Sequence, residues 1–212
     1  MFLHTAEAFR TAEPVRRATT IGLDRTRLPL AGRIALPKRP ALGAIDAAAL
    51  VETEQGWKRI ADLTPGMAIH TRDGGLQRLD AVSLMPRLPV AATRLVRIPG
   101  GALGNCGPLS LTPETQLLIR SQVAEEVLGV PEVLVPAAAL EGWRGIRCEA
   151  AGHHGRPVAM LRFARDEIVW LNSGLQVLCG RNGGYLTRLD LDRARSLIAL
   201  EGADLAQCRL AA

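Results

Sequence analysis

The residues whose type and spacing suit chemistry lie in and around one short segment. The segment LSLTPETQLLI runs from Leu109 to Ile119 and carries hydroxyls on Thr112 and Thr115, at the two ends of a Thr-Pro-Glu-Thr turn. Cys106 precedes Thr112 by six residues and adds a thiol. A hydroxyl or thiol becomes a nucleophile when a neighbouring base takes its proton, and histidine is the usual base. The turn contains no histidine, so acid–base chemistry there needs a partner from elsewhere in the chain.

The histidines and cysteines are spaced unlike a metal site. The cysteines, none closer than 29 residues to another, are Cys106, Cys148, Cys179 and Cys208. The histidines, none of which pairs at i, i+4 spacing, are His4, His70, His153 and His154. Structural zinc sites place their cysteines and histidines in closely spaced pairs. We therefore expect no metal and no cofactor, and reduced thiols with mainly structural roles.

The net charge of +5 is confined to the first 43 residues. They hold eight basic and three acidic residues, whereas the remaining 169 carry eighteen of each sign. This segment also contains four prolines and no sustained hydrophobic period, which predicts a flexible basic arm. Its only aromatic residues are Phe2 and Phe9, which disfavours a nucleic-acid site. Without an apolar run of about 18 residues or a secretory signal, we expect a cytoplasmic protein with no membrane span.

From residue 47 onward the pattern is typical of short strands. Runs rich in Val, Ile, Leu and Thr are separated by turn signals such as EQG, TPG and RDGG. Besides the first strand of the opening segment, the predicted strands are 49–53, 57–60, 67–71, 76–84, 92–98, 117–120, 132–135, 157–163, 167–171 and 175–179. This spacing predicts an all-β domain.

Two segments break the strand rhythm and favour helix. Residues 137–143 suit a single helical turn, and residues 190–207 place apolar side chains near a 3.6-residue period. Asp190 or Asp192 is the expected N-cap of the second helix, which we expect to be interrupted at Gly202 and docked on the sheet edge. The predicted organisation is a basic arm over 1–43, a β domain over 44–180 and a C-terminal extension with a helix over 181–212.

Five segments in a fixed order carry a family resemblance. They are RIADLTPGMAIHTRDGG, VRIPGGALG, LSLTPETQLLI, EVLVPAAAL and RDEIVWLNSG. This succession resembles the bacterial Hint domain, the hedgehog/intein fold, in its free-standing or C-terminal variety. The resemblance implies a compact, mostly antiparallel β horseshoe. It also implies self-cleavage, in which a Cys or Ser at the first position of the domain attacks the preceding carbonyl while a Thr-x-x-His segment holds and protonates the amide.

Carried over by position, the resemblance implies a site that has lost its chemical groups. The nucleophile position falls on Ala44, which has no nucleophilic atom. The Thr-x-x-His segment falls on Thr112 to Thr115, so the threonine is retained and the histidine is replaced. A second histidine position, before EIV, holds Asp166. Because a threonine hydroxyl does not titrate near neutral pH, Thr115 is not expected to replace an imidazole.

Three functions follow from these observations. The leading hypothesis is a catalytically degenerate Hint domain that serves as a binding or structural module for a protein partner, whose identity and oligomeric state the sequence leaves open. The second is an active self-cleaving domain with another nucleophile, either Cys106 or an arm hydroxyl such as Thr19, Thr20 or Thr26, and with His153 or His154 as a further candidate base. The third is binding of nucleic acid or an anionic surface by the basic arm.

Overall fold

The computed structural model describes residues 43–85, 94–150, 157–181 and 183–210, with side chains described up to residue 203. Fourteen strands lie within these ranges. They are β1 (Ile45–Asp46), β2 (Leu50–Thr53), β3 (Gly56–Arg59), β4 (Ala68–Thr71), β5 (Gly75–Met85), β6 (Arg94–Ile98), β7 (Leu109–Leu111), β8 (Gln116–Arg120), β9 (Glu132–Pro136), β10 (Arg147–Ala150), β11 (Val158–Phe163), β12 (Glu167–Leu171), β13 (Leu175–Cys179) and β14 (Thr187–Arg188). The prediction of a mostly β fold is confirmed.

The strands form one continuous sheet in the order β10-β6-β7-β1-β11-β5-β4-β2-β12-β13-β8-β9-β14, with β3 paired to β2. The eleven-residue β5 joins the two halves, because its first residues pair with β4 and its later ones with β11. Every pairing is antiparallel except that of β14 with β9, which is parallel. The expectation of an antiparallel architecture therefore holds for all the described pairs but this one.

The predicted strands are all present, with ends shifted by at most two residues. The part of the predicted strand 92–98 that precedes Arg94 lies outside the described residues. The sequence pattern did not reveal β1, β10 and β14. Two of these strands have two residues each, too few for alternation to be visible, and β10 is mostly exposed.

Within the described ranges two α-helices accompany the sheet. The first, α1 (Gln122–Leu128), was not predicted, although Ser121 caps it and Gly129 ends it in the left-handed conformation. The second, α2 (Leu191–Leu210), begins after Asp190, whose carboxylate accepts from the Arg193 N–H at 2.9 Å. The predicted interruption at Gly202 was wrong, because one glycine lowers helix propensity by only about 1 kcal/mol. No helix among the described residues is long and apolar enough to cross a membrane.

The predicted helical turn at 137–143 is two short 3₁₀ segments, Ala137–Leu140 and Trp143–Gly145. The first of them packs against α2, whose Ala194, Leu197 and Ile198 are buried in the main core. The predicted docking of this helix on the sheet is thus observed at β9 and the segment after it. The main core extends from Ile45 on β1 to these residues and holds the strands around the Thr-Pro-Glu-Thr turn.

Candidate functional site

The Thr112–Thr115 segment forms a hydrogen-bonded β-turn. The Thr115 N–H donates to the Thr112 carbonyl at 3.0 Å, and Pro113 occupies the second position, where its fixed φ favours such a turn. The flanking strands do not pair with each other, because β7 pairs with β1 and β6 whereas β8 pairs with β9 and β13. The turn therefore joins two parts of the sheet, and it brings the hydroxyls of Thr112 and Thr115 to 3.1 Å from each other.

Both hydroxyls contact the peptide groups of Ala44. The Ala44 N–H donates to Thr112 Oγ1 at 2.8 Å, and Thr115 Oγ1 donates to the Ala44 carbonyl at 3.1 Å. The Thr112 N–H donates to the same carbonyl at 2.9 Å. The structure thus brings together three residues that sequence comparison by position had assigned to one site, although Ala44 lies 68 and 71 positions from the two threonines.

These contacts define where the hydroxyl protons lie. A threonine hydroxyl has one proton, and that of Thr115 is used on the Ala44 carbonyl. In its contact with Thr112, Thr115 must therefore accept, so the Thr112 hydroxyl is the donor. The result is a closed ring: Ala44 N–H to Thr112, Thr112 to Thr115, and Thr115 back to the Ala44 carbonyl. We call these three residues the Ala44 ring.

The Ala44 ring is closed to solvent. Ala44 is 1% exposed and Thr115 is fully buried, with Thr112 at 8%. Gly43 packs directly on Thr115, since a Cβ atom at Gly43 would lie 2.6 Å from Thr115 Oγ1. The backbone before Ala44 therefore needs a glycine for this close approach. Polar groups so deeply buried cost free energy unless they are paired, and the ring pairs all of them.

Asp166 lies in a different environment, at the open end of the β12–β13 hairpin. Its Oδ1 accepts from the Arg181 N–H and its Oδ2 from the Gly183 N–H, both at 3.0 Å. A Cβ atom at Gly180 would approach the Cβ of Asp166 to 2.7 Å, so this contact also needs a glycine. The carboxylate thus joins the residue before β12 to the loop after β13. Asp166 and Gly43 line the same cavity.

The family model of the Hint domain matches residues 45–177, which is more than half of the chain. The chain belongs to the Hint domain family. The match begins at Ile45, the residue after Ala44, and contains the Thr-Pro-Glu-Thr turn and Asp166. A comparison with curated protein sequences gives no match.

Solved structures similar to this Hint domain include three inteins. The gp41-1 intein is 16% identical, over 65% of this chain and 98% of that one, with a TM-score of 0.40. The TvoVMA intein is 18% identical, over 64% of this chain and 96% of that one, with a TM-score of 0.44. The MchDnaB-1 intein is 14% identical, over 63% of this chain and 98% of that one, with a TM-score of 0.39.

The thiol of Cys106, the candidate substitute nucleophile of this Hint domain, lies in another loop. It is exposed, and the Cys106 N–H donates to the Asn172 carbonyl at 2.7 Å. Asn172 also accepts from the Leu50 N–H and donates to the Gly107 carbonyl through its side chain. Cys106 makes no hydrogen bond to the Ala44 ring within the described ranges. The candidate bases His153 and His154 lie outside those ranges.

Sequence reasoning missed two buried residues beside the site. Asp46 directly follows the Ala44–Ile45 pair, is 2% exposed, and accepts from the Ala48 N–H at 2.9 Å through Oδ1. This contact forms the turn between β1 and β2, and an aspartate two residues before the bonded N–H is its sequence signal. Cys179 lies on the wall of the cavity that Gly43 lines. Burial, with a smaller contribution from Glu167, raises the pKa of Cys179 to about 12.

Proposed function

We propose that this Hint domain does not cleave the chain at the Gly43–Ala44 bond and serves as a binding or structural module. The observation that carries the proposal is the Ala44 ring. Acyl shift requires a nucleophilic atom on the side chain that follows the bond, and Ala44 offers only a methyl group. The peptide bond at this position therefore lacks the attacking group on which the family's chemistry depends.

The proton donor is also missing. The departing amide nitrogen must receive a proton, and the family's histidine position holds Thr115. Its hydroxyl proton is used on the Ala44 carbonyl at 3.1 Å. The Ala44 N–H in turn donates to the Thr112 oxygen at 2.8 Å, so the hydroxyl nearest the amide accepts rather than donates. The Thr115 proton is thus used on the Ala44–Ile45 peptide group, and neither hydroxyl directs a proton at the amide nitrogen of the Gly43–Ala44 bond.

The contacts of Asp166 support the same proposal. Its carboxylate oxygens accept backbone N–H groups from the loop after β13. In these contacts Asp166 acts as a hydrogen-bond acceptor, and its oxygens join two backbone segments. The second histidine position thus contributes to the closure of a hairpin rather than to proton transfer.

The proposed module keeps the β domain and the N-terminal segment in one uncut chain. The proposed organisation is an arm over residues 1–43, a β domain over 44–180 and an extension over 181–212. The Ala44 ring holds the first residue of the β domain by both of its backbone polar groups. In a binding module an uncut Gly43–Ala44 bond keeps residues 1–43 covalently joined to the β domain.

Intact mass spectrometry of the full chain tests the proposal. Purified protein is incubated at neutral pH alone, with dithiothreitol and with hydroxylamine, which together intercept thioester and ester intermediates. We expect the full-length mass of 22.7 kDa in all three samples. A fragment beginning at Ala44 would overturn the proposal. A fragment that appears only in the wild-type chain and not in Cys106→Ser would in addition identify Cys106 as the nucleophile.

A further inference from the structure

A cavity of about 420 Å³ opens beside Gly43 and Asp166. Its inner wall is apolar and includes Ile45, Leu161, Phe163 and Cys179, all buried. Cys179 adds no charge to this wall, because its raised pKa keeps the thiol protonated at neutral pH. The cavity is large enough for a small organic molecule with an apolar body.

Three arginines line the same cavity. Arg162 projects from β11, Arg165 lies in the bend before β12, and Arg181 follows β13. All three are exposed, and within the part of the chain that the structure describes none of them forms an ion pair. The carboxylate that lines this cavity, on Asp166, accepts backbone N–H groups.

We infer that this cavity binds a small organic oxyanion, a carboxylate or phosphate ester with a short apolar body. Among the described residues that line the cavity, three positive groups and one negative group leave an excess of positive charge, which an anionic head group reduces. Guanidinium groups present paired N–H donors that match carboxylate and phosphate oxygens. The apolar wall then contacts the hydrocarbon body of the ligand. Burial of this apolar surface favours binding by about 25 cal/mol per Å².

The inference rests on the proposed function in one respect, since Gly43 remains part of the cavity wall only while the Gly43–Ala44 bond is intact. It names the chemical class of ligand that such a binding module takes.

Nuclear magnetic resonance of the ¹⁵N-labelled full chain tests the inference. Octanoate and octyl phosphate are titrated separately, with octanol as the uncharged molecule of the same length and inorganic phosphate as the head group alone. We expect saturable shifts of the Gly43 and Gly180 amide signals with at least one of the two amphipathic anions. The anion that binds with the lower Kd shows whether the cavity prefers a carboxylate or a phosphate head group. Octanol and inorganic phosphate are expected to bind at least tenfold more weakly.

Substitutions locate the site. Arg162→Gln and Arg181→Gln are each expected to weaken binding about tenfold, as the loss of a charge-assisted hydrogen bond predicts. The matched control is Arg195→Gln, an exposed arginine of α2 away from the cavity, which is expected to leave binding unchanged. Absence of saturable shifts, equal binding of octanol, or an equal effect of Arg195→Gln would overturn the inference. The intact mass of each sample is measured as well, so that cleavage, which contradicts the proposed function, is distinguished from failure to bind.

Discussion

At the scale of single residues, the site is governed by what a hydroxyl does in place of an imidazole. Histidine exchanges a proton near neutral pH, whereas the hydroxyl of Thr115 keeps its proton and donates it to one acceptor. That acceptor is the carbonyl of Ala44, at 3.1 Å. With Thr112 the hydroxyl completes a ring in which every buried polar atom has a partner. The threonine at this position thus adds a buried hydrogen bond to the Ala44–Ile45 peptide group.

The two threonines of the Ala44 ring are expected to contribute unequally to stability. Thr112→Val leaves the buried Ala44 N–H without an acceptor and should lower the free energy of unfolding by about 1–3 kcal/mol. Thr115→Val should lower the free energy of unfolding by a smaller amount, because the Ala44 carbonyl keeps its 2.9 Å hydrogen bond from the Thr112 N–H. Urea unfolding followed by circular dichroism measures both. Thr112→Ser, which retains the hydroxyl, is the control. A larger loss for Thr115→Val than for Thr112→Val would contradict the ring as described.

Restoring one chemical group is not expected to restore cleavage. Ala44→Cys supplies a thiol but leaves Thr115 unable to protonate the amide nitrogen, so the chain should remain intact. Ala44→Cys combined with Thr115→His supplies both groups and is expected to give a trace of cleavage before residue 44. Intact mass after incubation with dithiothreitol distinguishes the two variants. Efficient cleavage by Ala44→Cys alone would show that another residue is the proton donor.

At the scale of elements, short polar contacts determine where strands and helices end. Asp166 joins the two ends of the β12–β13 hairpin, and Asp46 forms the turn between β1 and β2. Ser121 has the same role for α1, because its hydroxyl accepts from the Ala124 N–H at 2.9 Å. Each contact satisfies backbone groups that the ends of regular elements leave unpaired.

The cap of α1 can be measured directly. Ser121→Ala removes the acceptor for the Ala124 N–H and should lower the free energy of unfolding by about 1 kcal/mol. The neighbouring Gln122→Ala removes an exposed hydrogen bond to Glu126 and should change it by less than about 0.5 kcal/mol. Equal effects of the two substitutions in urea unfolding would show that the Ser121 cap adds no stability.

At the scale of the whole molecule, the fold leaves two cysteines with different exposure to solvent. Cys106 is exposed in a loop, whereas Cys179 is 6% exposed within the main core. Burial raises the pKa of Cys179 from 9.0 to about 12. Since the thiolate is the reactive form, the fold suppresses this thiol both by access and by ionisation.

Alkylation of the native chain tests this separation. With iodoacetamide at pH 8, Cys106 is expected to react at least tenfold faster than Cys179, as measured by peptide mass mapping over time. The difference should persist at pH 9, because a raised pKa keeps Cys179 protonated there, and it should vanish in concentrated urea. Fast labelling of Cys179 in the native chain would show that the cavity wall opens in solution.

Much of the fold could be predicted from alternation and turn chemistry. The limits of β12 and β13 agree with the prediction at every residue, because both strands are apolar runs bounded by Gly, Asn or Asp. The two-residue β1 and β14 show no such pattern, and α1 was missed although Ser121 and Gly129 mark its ends. Gly202 was given too much weight as a helix breaker, since α2 continues through it.

For the site, the sequence by itself determined which chemical groups exist: a methyl group at Ala44, hydroxyls at Thr112 and Thr115, and a carboxylate at Asp166. These follow from residue type and from position within the family's segments. Tertiary structure alone decided what the groups bind. The direction of the bonds in the Ala44 ring, the backbone partners of Asp166 and the arginine-lined cavity all join residues distant in sequence. Such contacts depend on which strands pair and on which polar groups are buried away from water. Neither can be predicted from the local hydrophobic period of the sequence.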